Sequence, residues 1–345
     1  MKKLDSLGEA QLIDIIMEII YTRTGKQLIR DDCFYFNDTY SLGSNKIDDR
    51  IIVLNSDMFV STTDAPPQMN PYMMGTKSII MNISDMIVKA VEPKAIIISL
   101  GLPKDYKINK FKQLIEGIVD CCKKFNLDYI GGDINETKEV IINPTILGVE
   151  NKSKIIHREG ISIGNILVAN GKFGLTGVGL DILILKKGCL SEYPKYKKSI
   201  QSVLNPVISS KEAFILAEYN IATASIDSSD GLERSLKELM VSNPGIGFEI
   251  DFNENLVEAE ALNYAKEYDI PIEKLLFYAG EEYIHLFTIP EEKLEQAIKL
   301  MELNKLCLNV VGKVTSTEKI MFLKKKKKIQ IKSGGYEHFK EFNIK

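Results

Sequence analysis

Apolar residues recur first at helical spacing: Leu4, Leu7, Leu12, Ile15, Ile16, Ile19 and Ile20 predict an amphipathic helix over residues 4–21. Asp31-Asp-Cys-Phe-Tyr-Phe and Arg50-Ile-Ile-Val-Leu-Asn-Ser then read as strands, joined by a polar connection containing Gly43. Asp64-Ala-Pro-Pro-Gln-Met-Asn-Pro is an extended loop, because Pro66, Pro67 and Pro71 lack backbone donors and restrict the residues before them. The pattern next predicts a helix from about Tyr72 to Val91, ended by Pro93, and a buried strand from Lys94 to Leu100. A second helix over about Asn109 to Phe125 and a strand at Leu127 to Ile130 lead into Gly131-Gly-Asp.

The polar run Glu150-Asn-Lys-Ser-Lys and His157-Arg-Glu-Gly mark a domain junction between Val149 and Gly164. Beyond it, strand Ile166-Leu-Val-Ala runs into the glycine-rich Gly171 to Gly179, followed by a helix over Leu180 to Lys186. Strands near 221–227, 247–251, 284–289 and 308–315 alternate with helices. No internal repeat or long low-complexity segment interrupts the 345 residues, which suffice for two domains with their own cores.

Composition narrows the chemistry. Five cysteines (Cys33, Cys121, Cys122, Cys189, Cys307) show no C-x-x-C spacing, and three histidines lie far apart, so neither a disulfide framework, a zinc site nor a histidine relay is expected. A net charge of −3 argues against a nucleic-acid partner. The lysine run Lys324 to Lys328 reads as a hairpin turn between Met321-Phe-Leu and Ile329-Gln-Ile-Lys, with a phosphate patch as the alternative. With no apolar run of membrane-spanning length and no apolar signal-peptide core at the N-terminus, a cytoplasmic protein with no membrane partner is expected.

Carboxylates must therefore carry the polar chemistry. Five times an apolar run delivers aspartate to a polar edge: Asp31 and Asp32; Asp57; Asp85; Asp133; and Asp227 with Asp230. Each alone could be a turn former or helix cap; Ser225-Ile-Asp-Ser-Ser-Asp-Gly in particular could cap the helix beginning at Leu232. Together they suggest hard divalent cations, which take oxygen ligands and commonly share them with substrate phosphates. Asn82 and Asp85 would share one helix face. The glycine-rich segment fits neither G-x-x-x-x-G-K-[ST] nor G-x-G-x-x-G, leaving a plain turn and an anion site both open.

Asp31-Asp32, Ser56-Asp57, Asn82-Ile-Ser-Asp85, Gly131-Gly-Asp133, Arg158-x-Gly160, Gly164-Asn165, Ile226-Asp-Ser-Ser-Asp-Gly-Leu232, Gly280-Glu-Glu-Tyr283 and Gly334-Gly-Tyr-Glu-His-Phe339 occur in an order that resembles the thiamine-monophosphate kinase family, with Ser61 to Met69 similar to its archaeal branch. The resemblance implies an α+β protein with the two-domain fold of the aminoimidazole ribonucleotide synthetase-like superfamily. Its domains would be a β-rich N-terminal one over residues 1–152 that binds ATP and Mg²⁺ and pairs in a homodimer, and a C-terminal one over 153–345. It also implies direct in-line transfer of the γ-phosphoryl of ATP to thiamine monophosphate, with several Mg²⁺ ions.

By matching motif, the resemblance makes Asp31, Ser56, Asp57, Asp85, Asp133, Asp227 and Asp230 metal ligands, Asp31, Asp57, Asp85 and Asp230 being the catalytic ones. Gly132, Asp133, Arg158 and Ser229 would contact ATP, and Asp64, Glu281 and Tyr336 the thiamine substrate. Departures include Arg30 for the usual glycine, Asn55 for Ser or Thr, Asn165 for Asp, and Asp64 where bacterial members carry histidine. An enzyme like aminoimidazole ribonucleotide synthetase and a non-catalytic nucleotide-binding regulator are the alternatives. Selenophosphate synthetase and the hydrogenase maturation protein HypE are disfavoured for want of a cysteine in the right place.

Overall fold

The computed structural model describes residues 7–37, 49–251, 253–324, 327–332 and 334. The first half runs α1 (Glu9–Thr24), β1 (Phe34–Asn37), β2 (Arg50–Asn55), β3 (Phe59–Val60), α2 (Ser61–Asp64), α3 (Pro71–Val88), β4 (Pro93–Leu102), α4 (Ile108–Lys124), β5 (Asp128–Glu136) and β6 (Ile141–Asn151). Its sheet has the order β1-β2-β6-β4-β5, with β3 added to β6. β4 and β5 pair in parallel through the α4 crossover, and the other neighbours are antiparallel.

Alternation in β4 turns Ile96, Ile98 and Leu100 into the core while Ile97 and Ser99 face outward. On the inner face lies α3, which begins where the Asn70 side chain accepts the Met73 amide at 2.9 Å and Pro71 takes the first helical position. α3 and α4 touch backbone to backbone. A Cβ on Gly117 would lie 2.1 Å from the Tyr72 carbonyl oxygen, and one on Gly75 would lie 2.2 Å from that of Leu114. This contact presses α3 so far inward that Lys77, Asn82, Ser84 and Asp85 are all buried.

The second half runs β7 (Ile166–Ala169), α5 (Leu175–Leu180), α6 (Lys197–Leu204), α7 (Glu212–Glu218), β8 (Ala224–Asp227), α8 (Leu232–Ser242), β9 (Gly247–Asp251), α9 (Ala259–Glu267), α10 (Ile272–Phe277), β10 (His285–Ile289), α11 (Leu294–Leu303), β11 (Asn309–Thr315), β12 (Ile320–Lys324) and β13 (Lys327–Gln330). These strands form a second sheet, β13-β12-β9-β11-β7-β10-β8, so the chain is an α+β protein with one sheet in each half. Among the described residues no helix is long and apolar enough to cross a membrane. The five cysteines are free thiols.

Several local expectations change. β5 continues through Gly131 and Gly132 past a register shift between Tyr129 and Gly131, and Gly132 approaches β4 so closely that a Cβ there would sit 1.8 Å from the Ile98 carbonyl oxygen. The unanticipated β6 extends to Asn151 despite Pro144 and Gly148, so the polar run after Val149 begins inside a strand. The glycine-rich segment is not an open phosphate loop. α5 starts within it, continues into one π-helical stretch over Asp181–Leu185, and its first amides are already taken: Glu282 accepts from Gly174 N–H at 2.6 Å and Thr176 N–H at 3.4 Å. Glycine recurs there for packing, since a Cβ on Gly179 would meet the Ser199 carbonyl oxygen at 2.2 Å. The lysine run lies in the antiparallel β12–β13 pair, where Lys324 reaches Glu273 at 2.7 Å and Lys328 reaches Glu249; residues 325–326 fall outside the described set.

Gly117→Ala should therefore destabilise the chain by about 1–3 kcal/mol through overpacking of α3 against α4. A urea midpoint equal to that of the unsubstituted protein would show that the helices can separate without cost.

Candidate active site

The two halves meet around α3, and acidic groups gather there. β2 ends at Asn55 and passes Asp57 to the edge of α3, where Asn82 clamps its backbone: Oδ1 accepts the Asp57 amide at 2.8 Å and Nδ2 donates to its carbonyl at 3.0 Å. Asp85, three residues further along, lies on the same helical face. Asp32 enters from the segment before β1, and Asp227 closes β8 in the second sheet. One oxygen from each of Asp32, Asp85 and Asp227 lies within 4.8 Å of the others. Asp57 stands beside Asp85, joined to it side chain to side chain.

Neutral donors hold the carboxylates in place. Asn55 Nδ2 donates to Asp85 Oδ2 at 2.7 Å, Ser84 Oγ to Asp227 Oδ2 at 2.7 Å, and Ser229 Oγ to Asp227 Oδ1 at 2.9 Å. The Ser84 bond spans the two halves of the chain. Behind it, fully buried His285 faces Ser84 Oγ through Nε2 at 3.3 Å; burial pushes its pKa down to about 3, so it stands neutral.

The electrostatics divide the aspartates into two groups. Burial, reinforced by the charges of Asp57, Asp227 and Asp32, drives the Asp85 pKa well above the carboxylate range. Asp57 also rises, through burial. Asp227 is pushed up to about 7 by burial and the Asp32 charge, against the opposing bonds from Ser84 and Ser229. Asp31 behaves oppositely: burial would raise it, but the Lys89 ammonium, with His157 and Arg158, holds it well below its usual range. Like charges buried together must take up protons or a cation. The donor set is all hard oxygen, and the oxygens of Asp32, Asp85 and Asp227 converge, so these residues fit a divalent ion of the Mg²⁺ class.

The sequence-derived residues distribute unevenly around this centre. Asp85 and Asp227 converge, Asp32 rather than Asp31 completes the trio, and Asp57 stands beside it against Asp85. Ser56 points its hydroxyl away, donating to the Pro144 carbonyl at 2.9 Å. Asp133 is exposed on the edge strand β5 beside Gly132, and Asp230 is exposed in the turn before α8; neither belongs to the trio. That turn does not cap α8 through a side chain, because Gly231, at φ 95°, occupies the capping position. Arg158 binds Asp32 through Nε at 3.0 Å and through Nη2. Glu281, with φ 64°, pairs with Lys77, whose ammonium also donates to the Asp64 carbonyl at 2.6 Å. The Asp64 carboxylate accepts the Val60 amide at 2.6 Å. Tyr336 lies outside the described residues.

Sequence reasoning gave no role to Lys77, Lys89, Asn55 or His285. The two lysines carry a signal in hindsight: Lys77 and Lys89 bracket Asn82 and Asp85 on one apolar helical segment, where a charge must find a buried partner.

Residues 31–149 match the family model for the N-terminal domain of AIR synthase related protein. Over 289 residues, 84% of this chain and 89% of the other, it is 29% identical to a thiamine-monophosphate kinase of Nitrosopumilus maritimus. It is 27% identical to that of Aquifex aeolicus over 342 residues, covering 98% and 100% of the two chains. A solved structure of AaThiL complexed with AMPPCP and TMP superposes with a TM-score of 0.79 at 26% identity, covering 98% of this chain and 99% of that one. Escherichia coli HypE, a hydrogenase maturation protein, shares the fold at a TM-score of 0.65 and 16% identity over 96% and 99%.

The acidic centre should leave a signature in stability. Asp227 keeps its proton to about pH 7 when folded but releases it near 3.8 when unfolded. The folded state then binds the extra proton between those values, so stability falls as pH rises through the window, by up to roughly 4 kcal/mol, and the loss is complete above it. Thermal midpoints measured from pH 4 to 8 in chelator should decline less steeply in Asp227→Asn, and Mg²⁺ should restore the unsubstituted protein at the upper end. Equal slopes for both proteins would contradict this assignment.

Proposed function

We propose that this chain, which belongs to the thiamine-monophosphate kinase family, uses its acidic centre to transfer the γ-phosphoryl group of ATP to the phosphate of thiamine monophosphate, giving thiamine diphosphate and ADP. The observation that carries this is the full-length likeness to AaThiL complexed with AMPPCP and TMP, in a chain whose buried carboxylates meet at the seam between its halves. Phosphate-to-phosphate transfer calls for little covalent help from protein, because the acceptor oxygen is already ionised; positioning and charge compensation supply the catalysis.

The chain's own groups divide that work. Asp57, Asp85 and Asp227, with Asp32 beside them, would hold Mg²⁺, which when bound neutralises the two approaching phosphates and aligns them. Asn55, Asn82, Ser84 and Ser229 fix the orientation of these carboxylates. Asp133, Asp230 and Gly132, all exposed, are assigned to the nucleotide side on their motifs, while Arg158 orients Asp32 and so bears on ATP indirectly.

On the substrate side, the Lys77 ammonium pairs with the Glu281 carboxylate and donates to the Asp64 backbone carbonyl, while the Asp64 carboxylate accepts the Val60 amide and keeps its charge. The remaining negative charge suits the thiazolium cation of thiamine monophosphate, with Tyr336 assigned there on its motif. The division into residues 1–152 and 153–345 belongs to the same proposal, each unit holding its own sheet. So does a homodimer through the first sheet, whose outer side exposes Ile97, Ile130 and Ile134.

Incubation with ATP, Mg²⁺ and thiamine monophosphate should yield thiamine diphosphate and ADP one for one. Asp85→Asn should lower kcat at least about 100-fold while the protein remains folded, the scale on which charge-stabilising groups act. Lys77→Met should chiefly raise KM for thiamine monophosphate. ATP binding without product in the unsubstituted protein would instead favour a nucleotide-binding regulator.

A further inference from the structure

Within the acidic centre, Asp31 and Asp32 are already neutralised by the chain itself. Lys89 sits at the C-terminal cap of α3 and is fully buried. Its ammonium lies 2.8 Å from Asp31 Oδ1, 2.7 Å from Asp32 Oδ2 and 2.7 Å from the Ser225 carbonyl oxygen. Three oxygens surround the ammonium, the Ser225 carbonyl accepting its hydrogen bond and the two carboxylate oxygens pairing with it by charge, and these groups come from both halves of the chain. A helix C-terminus further favours positive charge there.

The other carboxylate oxygens of this pair are equally engaged. Asp31 Oδ1 also accepts the Asp32 amide at 2.8 Å, and Asp31 Oδ2 accepts from the Tyr35 hydroxyl at 3.1 Å and faces His157 Nδ1 at 3.2 Å. Asp32 Oδ1 is held by the Arg158 guanidinium. By contrast, the named partners of Asp57, Asp85 and Asp227 are neutral amides and hydroxyls or one another. Among the described residues, one side of the centre thus carries its own cations and the other does not.

We propose that the Lys89 ammonium is a built-in counter-ion that takes, between Asp31 and Asp32, the place a divalent ion would otherwise fill, so that Asp31 is not a metal ligand. Divalent ions are confined to the side bounded by Asp57, Asp85 and Asp227, with Asp32 as the shared wall. Lys89 is then a positioning residue: it sets how many metal ions the centre holds and fixes Asp32 against the boundary between the two sheets. Its compact ammonium suits the role, presenting a point charge as a metal ion does, where a planar guanidinium would not fit three convergent acceptors.

The inference rests on the phosphoryl-transfer proposal only for why divalent ions visit the centre, and it is tested without turnover. Mn²⁺ binding to the full chain, counted by electron paramagnetic resonance of the free ion with and without a non-hydrolysable ATP analogue, reads the occupancy directly. Asp31→Asn should leave the number of bound ions unchanged and their affinity within about twofold, whereas Asp85→Asn should remove an ion or weaken binding more than tenfold. Lys89→Met should gain one Mn²⁺ per chain, and the added ion should disappear when Asp31→Asn is combined with it. Loss of an ion in Asp31→Asn, or an unchanged count in folded Lys89→Met, would overturn the proposal. Should Lys89→Met not fold without metal, Asp31→Asn decides alone. Failure to form thiamine diphosphate bears on the kinase proposal and leaves these counts interpretable.

Discussion

The structure depends on one electrostatic constraint: aspartates drawn from both halves of the chain are buried within a few ångströms of each other at the seam where those halves meet. Removing several like charges from water costs several kcal/mol for each ion that lacks a partner. No hydrophobic contact explains such an arrangement, so it persists only because compensation is built around it. Lys89 and Arg158 offset the Asp31–Asp32 side, and amide and hydroxyl donors order the rest while leaving their charge for an ion to meet.

α3 is the element that makes this possible. An ordinary amphipathic helix keeps its polar residues in solvent, but α3 is enclosed by the first sheet and α4 on one side and by the second half of the chain on the other. Its polar positions must each find a partner: Asn82 and Asp85 do so within the first half, and others reach across the seam, Lys77 to Glu281, Ser84 to Asp227 and Lys89 to Ser225. The contacts that join the halves are therefore the contacts that shape the site.

Much of this was legible in the chain. Period-two and helical patterning located most elements to within a few residues, and the recurrence of aspartate at the ends of apolar runs pointed to a carboxylate centre before any geometry was available. What escaped notice was pairwise. Whether Asp31 or Asp32 faces the other carboxylates turns on the local backbone path in the bend before β1, which two adjacent identical residues cannot reveal. The glycine-rich segment resembled a phosphate loop locally, but Glu282, more than a hundred residues away, fills its amides. Lys89 is buried only because the second half of the chain, through Ser225, closes over the end of α3.

The sequence separations across the seam also order events during synthesis. Ser84 and Asp227 are 143 residues apart, and Lys77 and Glu281 are 204 apart. The first sheet, complete at Asn151, can thus form while Asp227 is still untranslated. In that interval Asp31 and Asp32 are not left to repel one another, because Lys89 comes from the same half and is already made. A tethered ammonium needs no diffusion and no cellular ion supply, so the nascent half carries its own neutraliser until the remainder of the site arrives.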